Sequence, residues 1–403
     1  MHRVVITGVG CVSSLGLTAA EHIQATREGV SGLATLTSVD PDKLLAKMAG
    51  ELKNFDPADY LDRKTLNMVD RVAVLALVAG AEAIADSGLT FDDELSELTA
   101  VILGTGVGGM KTVDENFHRL YAEGATRLHP FVIPKLMANA AASQLTMAHG
   151  IKGPAYSIAS ACSSANHAIG DAFGKVRSGQ MRAAVTGGCE SCITYGTMKG
   201  WEALRVVAPD ACRPFSKDRK GMILGEGAGI VVLERLEDAQ ARGAKIYAEL
   251  AGFGMSSDAG DLVQPSADGA ARAIRGALRD AGMNPEDIDY VNAHGTGTPA
   301  NDPTETEALK MALGDHARKI GISSTKSMHG HALGAAGALE LIATLGALEG
   351  SIVPPTITFT EAGDGCDLDY VPNVARDVSV RAALSNSFAF GGLNAVLALR
   401  RFD

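Results

Sequence analysis

Aromatic residues are scarce in this chain, at 5% of 403 residues with a single tryptophan. A core short of large rings has to be built from closely packed small aliphatic side chains. Cysteine is also sparse, at six irregularly spaced positions: Cys11, Cys162, Cys189, Cys192, Cys212 and Cys366. Such spacing over so long a chain excludes a disulfide framework. No basic run is present, and 36 lysines and arginines against 47 aspartates and glutamates leave a net charge of −11. That balance gives no footprint for a phosphate backbone, so nucleic acid is not expected as a partner. No uninterrupted apolar run reaches ~18 residues, so no membrane insertion is expected. The opening residues, Met1-His-Arg-Val-Val-Ile-Thr-Gly8, lack a signal-peptide pattern and read as a strand. A reduced, cytoplasmic protein is the expectation.

Glycine is abundant: 46 of 403, about 11% against a typical ~7%. Its clusters, at Gly104 to Gly109 and at Gly391 and Gly392, suggest tight turns near a ligand. At this length one core stops growing, so two domains or a duplicated one are expected. Short apolar strands alternate with amphipathic helices, which is the α/β pattern. Strands are expected at Val4 to Thr7, Thr99 to Leu103, Ala183 to Thr186, Gly229 to Glu234, Asp289 to Asn292 and Ala395 to Leu399. Helices are expected at Val72 to Ser87 and Ala271 to Ala281.

An internal repeat supports duplication. Ala81-Glu-Ala-Ile-Ala-Asp-Ser-Gly88 precedes an acidic loop and then Thr99-Ala-Val-Ile-Leu-Gly-Thr-Gly106. Gly276-Ala-Leu-Arg-Asp-Ala-Gly282 likewise precedes an acidic loop and Tyr290-Val-Asn-Ala-His-Gly-Thr-Gly297. The offset is 194 residues between Asp86 and Asp280 and 191 between Gly104 and Gly295, a drift one small insertion explains. The second half is expected to begin near residue 240, with Asp238 to Gly243 as the crossing, giving halves 1–240 and 241–403.

The sharpest chemical signal is Tyr156-Ser-Ile-Ala-Ser-Ala-Cys162-Ser-Ser-Ala. A short strand ends at small residues, and a helix is expected immediately after Cys162. Its stripe is Ala168, Ile169, Ala172, Phe173 and Val176, with Asp171, Lys175 and Arg177 opposite. A cysteine at a helix N-terminus gains thiolate character from the dipole and free N–H groups. The plainer alternative is a buried inert thiol. Nucleophilic acyl chemistry also needs carbonyl polarisation, and two histidines lie where strands run into glycine-rich loops, His294 and His331. His329 and His167 are weaker: one is placed to point away, the other to sit in the core. Ser385-Asn-Ser-Phe-Ala-Phe390-Gly-Gly-Leu-Asn394 offers backbone N–H groups at a sharp turn, material for an oxyanion hole, with Phe390 as a gate. A plain tight hairpin is the alternative.

Three other patterns carry less. Gly104-x-Gly106-x-x-Gly109 follows a strand, as in dinucleotide sites, yet Glu115 and Glu123 lie in polar, non-strand contexts. A glycine-lined pocket wall fits it better than a nicotinamide oxidoreductase. Cys189-Glu-Ser-Cys192 has no second pair to complete a metal site and reads as a strand-end turn. Asp302, Glu305, Glu307 and Glu340 read mostly as solvated helix starts.

On these residues the chain resembles an elongating β-ketoacyl-[acyl-carrier-protein] synthase of the second, long-chain type, in the thiolase-like superfamily. The resemblance runs end to end. It covers Arg3-Val-Val-Ile-Thr-Gly-Val-Gly10, Gly104 to Gly109, Ser160-Ala-Cys162-Ser, Arg213-Pro-Phe215, Gly225-Glu-Gly-Ala228, Asn292-Ala-His-Gly-Thr296, Lys326-Ser-Met-His-Gly-His331 and Asn386 to Gly392. It implies a duplicated five-layer αβαβα fold, a homodimer, and no cofactor beyond the phosphopantetheine of an acyl carrier protein. Cys162 would take the acyl chain from its thioester. His294 and His331 would donate hydrogen bonds to the malonyl thioester and Lys326 would support them. Phe390 would gate access, its N–H joining that of Cys162 in the oxyanion hole. Asn292, Glu305, Glu340, Ser385 and Asn386 fall where some relatives hold a monovalent cation, and Arg63, Lys64 and Arg205 where the carrier protein docks. A second histidine, His331, disfavours an acyl-CoA starter role, and Cys162 argues against a noncatalytic carrier-binding subunit. The chain departs from the housekeeping pattern at Ala389, Leu393 and His329 and in a shortened Lys199 to Asp210 loop. Those changes look like specialised relatives making nodulation or polyketide-type acyl chains. Trp201 in that loop reads as packing.

Overall fold

A computed structural model describes residues 1–402. Its centre is one ten-stranded mixed sheet, with strands β1 (Val4–Ser13), β2 (Thr99–Gly104), β3 (Ala155–Ile158), β4 (Ala183–Glu190), β5 (Gly227–Arg235), β6 (Ala248–Ser257), β7 (Tyr290–Asn292), β8 (Gly321–Ser323), β9 (Ala382–Ala389) and β10 (Leu393–Arg400). Their spatial order is β8-β7-β9-β10-β6-β1-β5-β4-β2-β3. Numbered from its own first strand, each half therefore runs first, fifth, fourth, second, third outward from the centre. Parallel pairing also repeats: β4, β2 and β3 are parallel neighbours in one half, and β9, β7 and β8 in the other. The duplication is thus visible in the topology. Among the described residues, three pairs join the halves as a sheet: Val4 with Leu250, Val5 with Glu249 and Ile6 with Ala248.

Two helices, Ser164–Arg177 and Ala336–Gly350, lie between the halves, each touching strands of both. The Arg71–Ser87 helix covers the outside of one half and Ala267–Ala281 the outside of the other. This is the αβαβα layering. The second central helix has an apolar stretch, Leu333–Gly350, with a mean hydropathy of 1.3, long enough to cross a membrane. It is 89% buried inside the protein, so its apolarity is that of a core helix wrapped on all sides. Each fully buried leucine or isoleucine there contributes ~1.5–3 kcal/mol of transfer free energy.

The glycine excess is only partly a matter of turns. In β1 a Cβ on Gly10 would fall 2.0 Å from the Ala79 carbonyl oxygen of the outer helix. In β6 a Cβ on Gly254 would fall 2.1 Å from the Ala273 carbonyl oxygen. Glycines at matching places in the first strand of each half let the outer helix touch the sheet backbone.

The expected strands are present, mostly longer. Three more were not foreseen: β6, β8 and β9. β6 (AELAGFGMSS) and β9 (AALSNSFA) hold small and polar residues with no β-branched run, so their propensity is weak. Burial of every residue of β9 stabilises it instead.

Candidate active site

Cys162 sits at a strained elbow. Ala161 before it has φ of 51°, left-handed for a residue with a Cβ, so the chain reverses sharply between β3 and the central helix. A 3-10 turn, Ala161–Ser163, intervenes, so the α-helix starts at Ser164 rather than directly after the cysteine. The expected thiolate is not what the elbow holds at rest. Burial pushes the Cys162 thiol up to about 12, outweighing the opposing pull of the Lys326 ammonium.

The two histidines are brought to the same place from the other half. Cys162, His294, His331, Phe388 and Phe390 line one cavity of about 260 Å³. The imidazoles lie edge to face, 5.4 Å between ring centres. Lys326 Nζ, which can only donate, is 3.3 Å from His294 Nδ1. The Leu333 N–H donates to His331 Nδ1 at 3.2 Å. Each ring therefore accepts at Nδ1 and carries its proton on Nε2. Burial and the Lys326 charge hold both histidines well below their ordinary pKa, so both are neutral N–H donors. A neutral donor pair is suited to negative charge that develops on a carbonyl oxygen.

A buried charge network fixes these donors. Lys326 is fully buried, donates to the His294 carbonyl oxygen at 2.6 Å and pairs with Glu340. Glu305 accepts from the His294 and Gly295 N–H groups at 2.8 Å each, and from Asn386 Nδ2 at 3.2 Å. It is buried and clamps the loop, so the reading as a solvated helix start is corrected, as it is for buried Asp302 and Glu340. Burial raises the pKa of Glu305, and also that of Glu340 despite Lys326 beside it. Around the pair, Asn292 Oδ1, Ser385 Oγ, Asn386 Oδ1 and Glu340 Oε2 are buried without a hydrogen-bond partner among the described residues. Asn292 and Ser385 are register partners on β7 and β9.

Other expectations separate here. His329 lies outside the cavity, its Nε2 3.0 Å from Thr325 Oγ1 and its ring 5.7 Å from His22. His167 bonds Ser160 Oγ at 2.8 Å beside Phe253. Arg63, Lys64 and Arg205 are exposed, and Arg205 lies between the cavity-lining Leu204 and Val206. The glycine loop after β2 is not a wall of this cavity. The Gly106 N–H donates to Glu190 at 2.6 Å, and the same carboxylate accepts from the Gly334 N–H of the other half at 2.9 Å. Glu190 was not foreseen as a site-bracing residue; a lone glutamate closing an otherwise uncharged, fully buried strand was the available signal. Trp201 is more than packing: it lines the cavity and stacks on Phe390, 6.0 Å between ring centres.

Comparison with known proteins agrees with this geometry. Residues 1–239 match the model for the β-ketoacyl synthase N-terminal domain, and residues 247–360 that for the C-terminal domain. The chain belongs to the β-ketoacyl synthase family. It is an acyltransferase-type condensing enzyme. Nodulation protein E of Rhizobium sp. (strain N33) is 47% identical over 399 residues, covering 99% of each chain. The 3-oxoacyl-[acyl-carrier-protein] synthase 2 of Synechocystis sp. is 43% identical over 409 residues, covering 100% of this synthase and 98% of that one. Among solved structures, the ishigamide ketosynthase/chain length factor superposes with a TM-score of 0.95 at 37% identity, covering 100% of both chains. A ketosynthase bound to a hexaketide, in complex with its type II polyketide acyl-carrier protein, gives 0.89 at 29%, again with full coverage.

Proposed function

We propose that the protein catalyses decarboxylating Claisen condensation: an acyl chain carried on Cys162 joins malonyl-[acyl-carrier-protein], giving 3-oxoacyl-[acyl-carrier-protein], CO2 and free carrier protein in fatty acid elongation. The observation that carries this reading is two neutral Nε2–H donors that line a single cavity together with one buried cysteine. In the first half-reaction the Cys162 sulfur replaces the phosphopantetheine sulfur on the acyl carbonyl, and the thiol proton ends on the departing sulfur. Exchange of one thioester for another costs little free energy. In the second, His294 and His331 bind the malonyl thioester oxygen. Loss of CO2 leaves an enolate held by those two N–H groups, so no base has to remove a carbon-bound proton. The enolate carbon attacks the acyl carbonyl on Cys162, whose oxygen is held by the N–H groups of Cys162 and Phe390. Collapse frees the Cys162 sulfur, which takes up a proton.

The unpartnered oxygens of Asn292, Ser385, Asn386 and Glu340, with Glu305 beside them, fit a monovalent cation: they are hard oxygen donors, largely neutral. Such an ion would supply positive charge that balances the two carboxylates around Lys326. No prosthetic group enters the steps above. Partner surfaces follow the same reading. Arg63, Lys64 and Arg205 would meet an acidic carrier protein. The exposed edge at β3, with Phe131, Ile133 and Met147 exposed nearby, would pair with a second copy in a homodimer. All six cysteines are unpaired, in keeping with a cytoplasmic location. A specialised acyl product, of nodulation or polyketide type, is favoured by Ala389, which stiffens the turn at the gate where glycine is usual.

The test is intact-mass spectrometry with acyl-carrier protein on the native protein and on Cys162→Ala, followed by malonyl-carrier protein. An adduct on the native chain alone, discharged as a 3-oxoacyl thioester, is expected. Failure to load any acyl chain would overturn the reading.

A further inference from the structure

We propose that Trp201 is a positioning residue that latches the Phe390 gate shut over Cys162 until an acyl chain arrives. The inference rests on the condensing function and on Phe390 as the gate. The two rings stack with planes 28° apart, and both line the cavity that holds Cys162.

Their supports differ in stiffness. Trp201 stands on the Tyr195–Ala203 helix, which begins at a capping box formed by Thr194 and Thr197. The next residue, Glu202, accepts from the Ala46 N–H at 3.1 Å and the Lys199 ammonium at 3.0 Å, and from the Leu45 N–H at 2.5 Å. Met198 on the same helix is buried. Phe390 instead precedes Gly391 and Gly392, at φ of 85° and 68°. Beyond it the turn is held by backbone: the Gly391 N–H donates to the Leu262 carbonyl at 2.8 Å and the Gly392 carbonyl accepts from the Asp258 N–H at 2.9 Å. A ring on a glycine hinge thus leans on a ring on a braced helix. An offset aromatic stack of this kind shifts a two-state equilibrium by roughly 2- to 10-fold. An acyl chain on Cys162 has to occupy the cavity that both rings line, and parts the rings to enter it.

The protein has one tryptophan, so indole emission, excited selectively over the tyrosines, comes from Trp201 alone and reports its surroundings. Alkylation of Cys162 by a bulky N-alkylmaleimide, followed by intact mass, reads gate opening without any carrier substrate. Trp201→Ala is expected to react roughly 2- to 10-fold faster than the native protein, Trp201→Phe at nearly the native rate. Phe390→Ala is expected to react faster as well, and the double variant no faster than Phe390→Ala. Phe390→Ala should shift Trp201 emission, and acyl loading of the native protein should shift it in the same direction. Native reactivity in a folded Trp201→Ala, or rate effects that multiply in the double variant, would overturn the latch while leaving the gate intact. Native reactivity in Phe390→Ala would remove the gate itself, and the latch with it. An unchanged Trp201 spectrum in Phe390→Ala would also overturn the proposal.

Discussion

In the N-terminal half five residues separate the third strand, β3, from its central helix; in the C-terminal half twelve residues separate β8 from the equivalent helix. The short connection is the elbow that presents Cys162. The longer one has room for a helical turn, Lys326–His329, and delivers Lys326 and His331. The loops after the second strand of each half are also equivalent. After β2 the Gly106 amide is bound by Glu190, and after β7 the His294 and Gly295 amides are bound by Glu305. A buried carboxylate thus holds a Gly-Thr-Gly loop in both halves, although from different elements, Glu190 at the end of β4 and Glu305 on the Asn301–Leu313 helix, and only the C-terminal loop presents a side chain, His294, to the cavity. Duplicated strand ends supply two independent sets of positions. One half here carries the nucleophile and the other the donors and the buried charge.

That division can be broken experimentally. Cys162→Ala should abolish acyl adducts, a loss beyond ~10³-fold, yet still release CO2 from malonyl-carrier protein, because the C-terminal half keeps its donors. Loss of both activities would mean the halves do not act separately. Next in size, His294→Ala or His331→Ala should lower CO2 release by roughly 10²–10³-fold while loading of Cys162 stays near native in mass spectra. Lys326→Met leaves Glu340 buried and unpaired, and a denaturant melt should show about 3–5 kcal/mol lost. A melt like the native one would place little of the charge network's stability in that pair.

The N-terminal clamp gives a pH signature of definite sign. Burial raises Glu190 from 4.5 to about 7, so between these values the folded protein holds a proton that the unfolded chain releases. Its stabilising effect is complete below about pH 4.5 and declines as pH rises through about 7. Stability of Glu190→Gln measured across that window should lack this decline; parallel curves would count against it. The smallest effect concerns the carrier surface, which the reading puts wholly in the N-terminal half. Replacing Arg63, Lys64 and Arg205 with glutamate should raise KM for the carrier substrate about 3- to 10-fold at low salt, with kcat unchanged. Unaltered KM would move the docking site elsewhere.

Much of this was legible because His294 and His331 sit beside glycines, where a histidine has little packing reason to be, and because Cys162 stands among small residues between a strand and a helix. The repeat around Asp86 and Asp280 announced the duplication that the strand order displays. The missed parts share a physical cause. β9 is held by burial of every residue and β6 by pairing with β1 and β10 on both edges, not by propensity, so small and polar residues such as Ser385, Asn386 and Ser387 gave no strand signal. Glu190, Glu305 and Glu340 look solvated in one dimension, since their amide and ammonium partners lie between 10 and 144 residues away. Burial raises the pKa of the Cys162 thiol, and that desolvation is invisible in sequence where a helix N-terminus is not.

The sheet order also bears on how the molecule comes to be made. β10, which holds residues 393–400, lies next to β6, one strand from the seam between the halves. Every other strand of the sheet is therefore made before β6 gains its neighbour on that side. Until then the Ser164–Arg177 helix lacks its contacts with β10, and the unpaired edge of β6 is open to the wrong strand. Loss of a few residues near Leu399 would cost this chain its architecture, whereas a frayed tail on a peripheral strand costs little.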